Sequence, residues 1–317
     1  MLVTGGAGFI GSNFVHYVLK QREDVQIVVL DALTYAGNME NLASVDPARC
    51  TFIRGDIRNA TDVDRAIAGC DWVVHFAAES HVDRSIATAL PFVHTNVEGT
   101  LRVLEAARTH AVTRFIQIST DEVYGNAQAP DGLPRPSRES DPFRPFSPYA
   151  ASKAGAESLV YAYWQTYRLP VVITRSSNNY GPRQHPEKQL PLFITRALAD
   201  QTLPIYGNGR NTRDWIYVDD HCAAILTTLL ADAELVVGEI FNIGTGQERS
   251  VLENAQAVLQ ALEKPESLLE FVTDRPGHVL RHAVDTTKIR ERLQWAPTVS
   301  FEQGISRTIN WYKNAYD

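Results

Sequence analysis

Three glycines, Gly5, Gly8 and Gly11, are spaced three residues apart near the start of the chain. An apolar stretch, Met1–Val3, precedes them and a helix-like stretch, Ser12–Lys20, follows, so the glycines fall at a strand-to-helix turn. Glycine at such a turn lets backbone N–H groups and a helix N-terminus approach a pyrophosphate closely. A merely flexible turn is the alternative. The context favours a dinucleotide-binding α/β unit at the start of the fold.

Short apolar runs alternate with helix-like segments along most of the chain, which is the pattern of a parallel sheet covered on both faces. We therefore predict an α/β fold with a doubly wound, Rossmann-like parallel sheet. The predicted strands are Met1–Val3, Val25–Leu30, Thr51–Ile53, Trp72–Phe76, Arg114–Ile118, Pro170–Thr174 and Ile240–Ile243.

At 317 residues the chain exceeds the usual size of a single core. We expect a dinucleotide-binding domain from residues 1–177 and 214–243, and a smaller substrate-binding region from 178–213 and 244–317. Ser250 with Glu253 and Ser300 with Gln303 have the form of capping boxes, which predicts helices in the second region.

Composition and charge exclude several classes of protein. The net charge of −7 argues against non-specific nucleic-acid binding. No apolar stretch approaches the roughly 18 residues of a membrane span. Cys50, Cys70 and Cys222 form no C-x-x-C pair, so we expect no disulfide framework and no metal site. The amino terminus lacks the regions of a signal peptide, and a cytoplasmic location is the expectation.

An acidic residue, Asp31, ends the second predicted strand, 31 − 11 = 20 residues after Gly11. A carboxylate at this position accepts hydrogen bonds from ribose hydroxyls and repels a 2′-phosphate. No Arg or Lys occurs between Ala32 and Ala48 to neutralise such a phosphate, so NAD is favoured over NADP. Asp56-Ile57, after the third strand, is a candidate for adenine contacts, although an ordinary strand-end aspartate explains it equally well.

A tyrosine and a lysine four residues apart follow a helix-start signal, since Ser147 suits the N-cap and Pro148 the first helical position. Tyr149 and Lys153 then lie on one helix face and can address one substrate oxygen. An adjacent ammonium, the helix N-terminus and an oxidised nicotinamide all favour the phenolate, which makes Tyr149 a usable base. The spacing alone is common, and surface placement is the alternative.

Thr120, Asp121 and Glu122 follow a predicted strand, at the sheet edge where open α/β folds bind ligands. Neighbours in a strand point to opposite faces, so the two carboxyl groups can converge only if the backbone has left strand geometry there. Two carboxyls in proximity raise one pKa, which leaves an acid beside a base and suits elimination of water. A solvated turn is the alternative.

Two further expectations concern loops and surfaces. The segment from Asn126 to Pro148 carries six prolines and little apolar periodicity, which predicts an ordered loop or lid. The helices expected at Thr95–His110 and Ala150–Tyr167 are apolar on several sides, which predicts a homodimer through them. We interpret His75 and His81 as structural.

Several motifs together resemble the extended short-chain dehydrogenase/reductase (SDR) superfamily, and within it the dTDP-glucose 4,6-dehydratases. The resemblance covers essentially the whole chain, and the Asp121-Glu122 pair separates it from related sugar-nucleotide epimerases and decarboxylases. Its motifs are Thr4–Gly11, Leu30–Asn38, Ala78–Ser85, Thr120–Glu122, Tyr149 with Lys153, Arg175–Pro182, Arg213–His221 and Asp274–His278.

The resemblance implies a reaction in three stages on dTDP-glucose. Tyr149 takes the 4-hydroxyl proton as hydride passes from C4 to NAD, and Thr120 hydrogen-bonds the same oxygen. Glu122 then abstracts the C5 proton while Asp121 protonates the departing C6 hydroxyl. Hydride finally returns to C6, so NAD is regenerated and stays bound.

The resemblance also implies two sets of binding residues. The cofactor candidates are Gly5, Gly8, Phe9, Ile10, Gly11, Asp31, Thr34, Asp56, Ile57, Ala77, Ala78, Tyr149 and Lys153. The substrate candidates are Ser80, Asn179, Lys188, Pro204, Tyr206, Arg213, Asn242, Arg275 and His278. For any single substrate candidate, an ordinary structural polar contact is the alternative.

The chain departs from the usual pattern of these dehydratases at Gln189, Val279, Leu280 and His282. These departures concern the substrate edge and not the chemistry. A UDP-glucose 4,6-dehydratase, a 4-epimerase or a decarboxylase is the main rival. A non-catalytic NAD-responsive regulatory protein is a second rival, but such a protein has no need of the Tyr/Lys pair and the acidic pair together.

Overall fold

Parallel strands joined by helices form the centre of the molecule, and the computed structural model describes residues 1–129, 131–274 and 278–316. The strands of these residues are β1 (Leu2–Thr4), β2 (Ile27–Asp31), β3 (Cys50–Arg54), β4 (Trp72–His75), β5 (Arg114–Thr120), β6 (Val171–Ser176), β7 (Asn178–Tyr180), β8 (Leu203–Tyr206), β9 (Thr212–Tyr217), β10 (Ile240–Ile243), β11 (Glu248–Ser250), β12 (Leu269–Val272) and β13 (Arg281–His282).

Helices surround these strands. They are α1 (Phe9–Gln21), α2 (Ala60–Ile67), α3 (Val82–Ala87), α4 (Leu90–Phe92), α5 (Thr100–Thr109), α6 (Pro148–Tyr167), α7 (Gln189–Leu198), α8 (Val218–Leu230), α9 (Ala233–Val236), α10 (Val251–Ala261), α11 (Thr287–Leu293) and α12 (Phe301–Tyr316). Short 3₁₀ turns occur at Met39–Leu42, Asp121–Tyr124 and Glu266–Leu268, and a π-helical segment at Val93–Gly99.

The main sheet has seven parallel strands in the order β10-β6-β5-β4-β1-β2-β3. Apolar clusters cover both of its faces, and β5 is buried along its whole length. After β3 the chain returns across β1 to form β4, and in such folds ligands bind in the crevice where the strand order reverses. The predicted doubly wound α/β fold is confirmed.

The predicted strands of this sheet are all present, with ends that differ by up to two residues. Helix α1 begins at Phe9, three residues before the predicted start. The segment predicted as a helix from Thr95 is π-helical up to Gly99 and α-helical from Thr100. Apolar periodicity does not distinguish these two kinds of turn.

A second, smaller sheet contains β11, β9 and β13, with β7 also paired to β9. Strands β8 and β12 and helices α7, α10 and α12 surround a separate apolar core beside it. The domain division proposed from the sequence has its boundary after residue 213, which lies inside β9. Helix α8, which follows β9, packs against α1 of the first domain.

Hydrogen bonds fix the loop between Asn126 and Pro148, whose described part contains no helix before Pro148. Ser137 N donates to Ala283 O, and Asp285 N donates to Ser137 O, each at 2.8 Å. Both predicted capping boxes are present, at the starts of α10 and α12. Among the helices of the described residues, none combines the length and the apolar character that a bilayer span requires.

Candidate active site

A cleft of about 380 Å³ opens at the carboxyl ends of the central strands, where β1 meets β2 and β4. Most of the predicted site residues line it. These are Gly5, Gly8, Phe9, Ile10, Gly11, Asp31, Thr34, Asp56, Ile57, Ala77, Ala78, Ser80, Thr120, Asp121, Glu122, Tyr149, Lys153, Asn179 and Lys188. The fold thus brings distant parts of the sequence to one cavity.

The glycine turn between β1 and α1 approaches its own backbone closely. Gly5 has φ of +69°, and its N–H donates to Leu30 O at 2.8 Å. A Cβ on Gly11 would overlap the carbonyl of Gly5, whereas a Cβ on Gly8 would meet only that carbonyl, at 3.3 Å. Gly8 is the N-cap of α1 and lines the cleft, so the N-terminus of this helix faces the cavity, as a pyrophosphate site requires.

Asp31, at the end of β2, is nearly buried beside this turn. Its carboxylate accepts hydrogen bonds from the N–H groups of Ala7 at 2.9 Å and Leu33 at 2.8 Å. Burial raises the pKa of Asp31, and the two amides oppose this effect. They orient the carboxylate at the cleft, which fits an acceptor for ribose hydroxyls. Asp56 also lines the cleft, but its carboxylate pairs with Arg58 at 2.5 Å.

The backbone leaves strand geometry directly after Thr120. Asp121–Tyr124 form a 3₁₀ turn, which Thr120 caps by accepting the N–H of Glu122 on its hydroxyl at 3.2 Å. This is the departure that the sequence requires if both carboxyl groups are to face one substrate. Asp121 and Glu122 both line the cleft, so the turn brings them to the same cavity.

The side chain of Asp121 lies where ionisation is unfavourable, since the residue is only 3% exposed. Burial raises its pKa well above the usual value, and the charge of Glu122 raises it further, while Arg213 acts in the opposite direction. Its Oδ1 accepts from the Thr120 hydroxyl at 3.4 Å, and its Oδ2 has no hydrogen-bond partner among the described residues. Asp121 is therefore suited to hold a proton.

Helix α6 carries the tyrosine and the lysine, and it begins as the sequence predicts. Ser147 is the N-cap, its side chain accepts the N–H of Ala150, and a proline follows it. One turn separates Tyr149 from Lys153, and both line the cleft. Lys153 Nζ donates to Ile118 O of β5 at 2.6 Å, which fixes the helix against the strand that carries Thr120.

The surroundings of Tyr149 bear on its role as a base. Burial raises this pKa above the usual value and the charge of Glu122 raises it further, while a hydrogen bond with Thr120 lowers it. In the protein without cofactor, the pKa of Tyr149 therefore lies above its usual value. Burial also lowers the pKa of Lys153 to about 8, against the opposing charge of Glu157.

Buried polar side chains hold the wall of the cleft. His75 bridges the hydroxyls of Thr4 at 2.6 Å and Thr100 at 3.1 Å, and burial lowers its pKa to about 3. Asn96, in the π-helical segment, clamps the backbone of Glu79 by accepting from its N–H at 2.8 Å and donating to its carbonyl at 2.9 Å. These contacts support the structural interpretation of His75.

A strap of polar contacts joins residues 80–84 to residues 187–188 beside the cleft. Lys188 Nζ donates to Ser80 O at 3.0 Å, and Arg84 pairs with Glu187 at 3.0 Å. His81 caps α3 and lies 3.7 Å from Glu187, in keeping with a structural role. The strap joins the loop after β4 to the segment before α7, and Ser80 and Lys188 both line the cleft.

Several substrate candidates do not line the cleft, and these are Pro204, Tyr206, Arg213, Asn242 and His278. Asn242 is fully buried: its Oδ1 accepts from Tyr124, and its Nδ2 donates to Ser137 O and Asp285 O. Its amide is thus engaged by the protein itself. Arg275, the remaining candidate, lies outside the described residues.

Other residues line the cleft although the sequence did not single them out as contacts. Tyr35, Glu79 and Asn178 belong to motifs already recognised, so their position in those motifs was a usable signal. Pro91 and Thr95 come from the segment around the π-helix, and no motif marks them.

Two of the residues that depart from the family pattern, Val279 and Leu280, lie in the backbone segment that supports Arg213 and its neighbour Thr212. The carbonyl of Val279 accepts from Arg213 at 2.9 Å, and the carbonyl of Leu280 accepts from Thr212 N at 2.9 Å. Leu280 is 67% exposed, whereas His282 is buried in β13 and Gln189 begins α7. Because these hydrogen bonds use backbone atoms, the substituted side chains leave the support of Arg213 in place.

The strand order, the glycine turn and the Tyr149/Lys153 pair together define an SDR-type nucleotide-dependent oxidoreductase site, to which the acidic turn adds an acid and a base. A family model described as GDP-mannose 4,6 dehydratase matches residues 2–308. The chain belongs to this family of nucleotide-sugar dehydratases.

Curated relatives and a solved structure agree with this assignment. The low-salt glycan biosynthesis protein Agl12 of Haloferax volcanii is 52% identical, with 98% of each chain covered. A dTDP-glucose 4,6-dehydratase of Streptomyces niveus is 47% identical, with 99% of this chain and 93% of the relative covered. The crystal structure of DesIV, a dTDP-glucose 4,6-dehydratase of Streptomyces venezuelae with NAD bound, has a TM-score of 0.93 at 49% identity and covers 99% of this chain and 96% of its own. The resemblance to the dTDP-glucose 4,6-dehydratases is confirmed.

Proposed function

We propose that the protein is an NAD-dependent hydro-lyase that converts dTDP-glucose to dTDP-4-keto-6-deoxyglucose in deoxysugar biosynthesis. The observation that carries the proposal is the 3₁₀ turn at Asp121–Tyr124, which brings a buried carboxyl group with a raised pKa and a second carboxyl group to the cleft of Tyr149. An oxidoreductase without an elimination step has no need of this acid–base pair.

The cleft fits the cofactor on the evidence of its own residues. Gly8 and the N-terminus of α1 suit a pyrophosphate, and Asp31 suits ribose hydroxyls. NAD, when bound, supplies the acceptor that takes up hydride from C4 and gives it back at C6. The positive charge of the nicotinamide would favour the phenolate form of Tyr149, whose pKa the surrounding protein raises.

The side chains then divide the proton transfers among themselves. Tyr149 removes the proton of the 4-hydroxyl group, and Thr120, which hydrogen-bonds Tyr149, steadies the same oxygen. Glu122 removes the proton at C5, which the new 4-keto group has made acidic, and returns a proton to C5 when hydride reaches C6. Asp121 gives its proton to the leaving 6-hydroxyl group, and its raised pKa supports this role. Lys153 holds positive charge beside the reacting oxygen.

The main rivals are a UDP-glucose 4,6-dehydratase and a 4-epimerase or decarboxylase acting through Tyr149 without elimination. Incubation with dTDP-glucose, UDP-glucose and dTDP-galactose, followed by product analysis, separates them. We expect a 4-keto-6-deoxy product from dTDP-glucose. Formation of a C4 epimer, or preference for UDP-glucose, would contradict the proposal.

A variant separates oxidation from elimination. With Asp121→Asn and Glu122→Gln together, reduced cofactor should remain detectable after substrate is added, while dehydration falls by roughly a hundredfold or more. Asp24→Asn, at an exposed carboxylate paired with Arg22, is the control and should keep normal turnover. Product formation at a near-normal rate in the double variant would show that the assigned roles are wrong.

The proposal includes a homodimer and a cytoplasmic location. Large apolar side chains are exposed on neighbouring elements, namely Leu90 (61%) on α4, Val93 (48%) on the π-helical segment, and Tyr161 and Tyr167 (50% each) on α6. These elements pack against one another, so the side chains suit burial against a second copy. Cys50, Cys70 and Cys222 are free thiols, which is in keeping with a reducing compartment.

A further inference from the structure

A buried ion pair lies behind the reacting groups and has no part in the chemistry described so far. Glu157 of α6 and Arg175 of β6 are 1% and 3% exposed at their side chains, and Arg175 NH2 lies 2.8 Å from Glu157 Oε2. Burying two charges costs several kcal/mol per ion, and well-packed apolar residues often replace such a pair without loss of stability. The fold alone therefore does not explain a charged pair at this place.

The carboxylate of Glu157 reaches the end of the strand that carries the acidic turn. It accepts a hydrogen bond from the Ser119 hydroxyl, and Ser119 directly precedes Thr120. Ser119 and Arg175 are partners in the register of β5 and β6, and both donate to Glu157. Glu157 thus ties two neighbouring strands to α6 at the level where the reacting residues begin.

Glu157 also stands one helical turn beyond Lys153, which itself stands one turn beyond Tyr149. Residues four apart share a helix face, so the three side chains form a row along α6. Lys153 is buried, and burial lowers its pKa to about 8, while the charge of Glu157 raises it. Without that charge, the ammonium would lose its proton at a lower pH.

Further hydrogen bonds hold the ion pair in one orientation. Arg175 donates through Nε to Glu157 at 2.9 Å and through NH1 to the Tyr124 hydroxyl at 2.7 Å. Tyr124 in turn donates to Asn242 Oδ1 at 2.8 Å. The guanidinium also lies over the rings of Tyr124 and Phe143. Arg175 is therefore fully engaged, and the carboxylate that it holds is fixed relative to Lys153.

We propose that Glu157 is a positioning residue for the reaction: its carboxylate keeps Lys153 positively charged and, through Ser119, sets the start of the Thr120–Glu122 segment against Tyr149. This inference rests on the proposed function for its kinetic test, but the charge effect on Lys153 and Tyr149 does not require turnover. Glu157 touches neither substrate nor cofactor in this role.

The test is Glu157→Gln in the NAD-loaded enzyme. An opposite charge nearby shifts a pKa by about 1 to 3 units, so we expect the alkaline limb of the kcat profile to move down by about one pH unit. In the same variant the ionisation of Tyr149, followed by tyrosinate absorbance and assigned with Tyr149→Phe, should move to higher pH. Both profiles remaining at the wild-type position would overturn the proposal.

Three further variants separate charge from position and from stability. Glu157→Asp keeps the charge and should restore the wild-type limb at a reduced kcat. Ser119→Ala removes only the hydroxyl and should lower kcat with the limb unmoved; normal kcat would refute the positioning part. Asp220→Asn alters another buried carboxylate, which accepts from Thr298 and Val299, and should affect Tm but neither profile.

These measurements also keep the two proposals apart. If wild-type protein forms no 4-keto-6-deoxy product, the proposed function fails, while the tyrosinate titration still decides the role of Glu157. If Glu157→Gln does not fold, the role of Glu157 is decided by two other results: the position of the alkaline limb of the kcat profile in Glu157→Asp, and the kcat of Ser119→Ala. A limb displaced in Glu157→Asp, where the charge is retained, would count against the proposal.

Discussion

Asp121 is a carboxyl group in a place where its ionised form is disfavoured, and this has a consequence for stability. Its pKa in the folded protein is raised by burial and by Glu122. A raised folded pKa means that the group contributes stability below its unfolded pKa, near 3.9, and loses that contribution as the pH rises through the folded value. The active form of this residue is thus maintained at a cost to folding.

Asp121→Asn should therefore stabilise the protein at neutral and higher pH while it stops dehydration. We expect Tm to rise by on the order of 2 °C at about pH 8 and much less at about pH 4, where the folded form is protonated and the unfolded form is about half protonated. Thermal unfolding followed across this pH range provides the measurement. Asp220→Asn, which weakens contacts to Thr298 and Val299, should lower Tm at both pH values. A decrease in Tm for Asp121→Asn at about pH 8 would contradict the argument.

The β1–α1 turn shows what one element demands of its residues. A Cβ on Gly11 would overlap the backbone of Gly5 and Gly6, whereas a Cβ on Gly8 would make one close contact, 3.3 Å from the carbonyl oxygen of Gly5. The two glycines are equivalent in the sequence pattern but not in the fold. One serves close packing of the turn, and the other serves access to the cavity.

Gly8→Ala and Gly11→Ala should accordingly fail in different ways. Gly11→Ala should lower Tm by on the order of 5 °C and abolish NAD retention, because the clash involves backbone atoms. Gly8→Ala should lower Tm by on the order of 2 °C, since its one close contact needs only a small shift, and should retain less NAD, because the added methyl group lies where the pyrophosphate approaches. NAD released on denaturation and Tm are the two readouts. Equal losses of Tm in both variants would show that the distinction is wrong.

At the scale of elements, the features that were predicted correctly from the sequence are those that depend on local patterns. The strand pattern, the helix start at Ser147 and the capping boxes all depend on near neighbours, and each was predicted correctly. The need for a turn after Thr120 followed from the geometry of adjacent side chains. The π-helical geometry of Val93–Gly99 was not predicted. Asn96 of this segment binds the backbone of Glu79, and apolar periodicity does not indicate such a long-range contact.

The site itself was predictable where motifs carry backbone requirements and less so where single side chains matter. The glycine turn, the acidic pair and the Tyr/Lys pair all line the cleft. Asn242 does not, because long-range contacts with Tyr124 and Ser137 engage its amide. The raised pKa of Tyr149 in the protein without cofactor could not be inferred from the sequence, since burial is a property of the whole fold and not of the neighbouring sequence.

At the scale of the whole molecule, the exposed apolar side chains of the π-helical segment and α6 bear on assembly. We expect the wild-type protein to sediment as a dimer at micromolar concentration. Val93→Glu with Tyr161→Glu should give monomers, because each copy would have to bury unpaired carboxylates at the interface. Leu235→Glu, at a side chain 41% exposed on α9, is the matched control and should remain dimeric. A monomeric wild-type protein would contradict the prediction.

The strap between Ser80 and Lys188, with Arg84 and Glu187 beside it, bears on how the enzyme depends on the cell's pool of nicotinamide nucleotides. Ser80 and Lys188 line the nucleotide cleft, so these contacts hold two of its sides together. Since each catalytic round ends with the carrier oxidised again, nothing requires its departure. The rate of such an enzyme would not depend on the cell's ratio of oxidised to reduced pyridine nucleotides. No second reaction would be needed to reoxidise its cofactor.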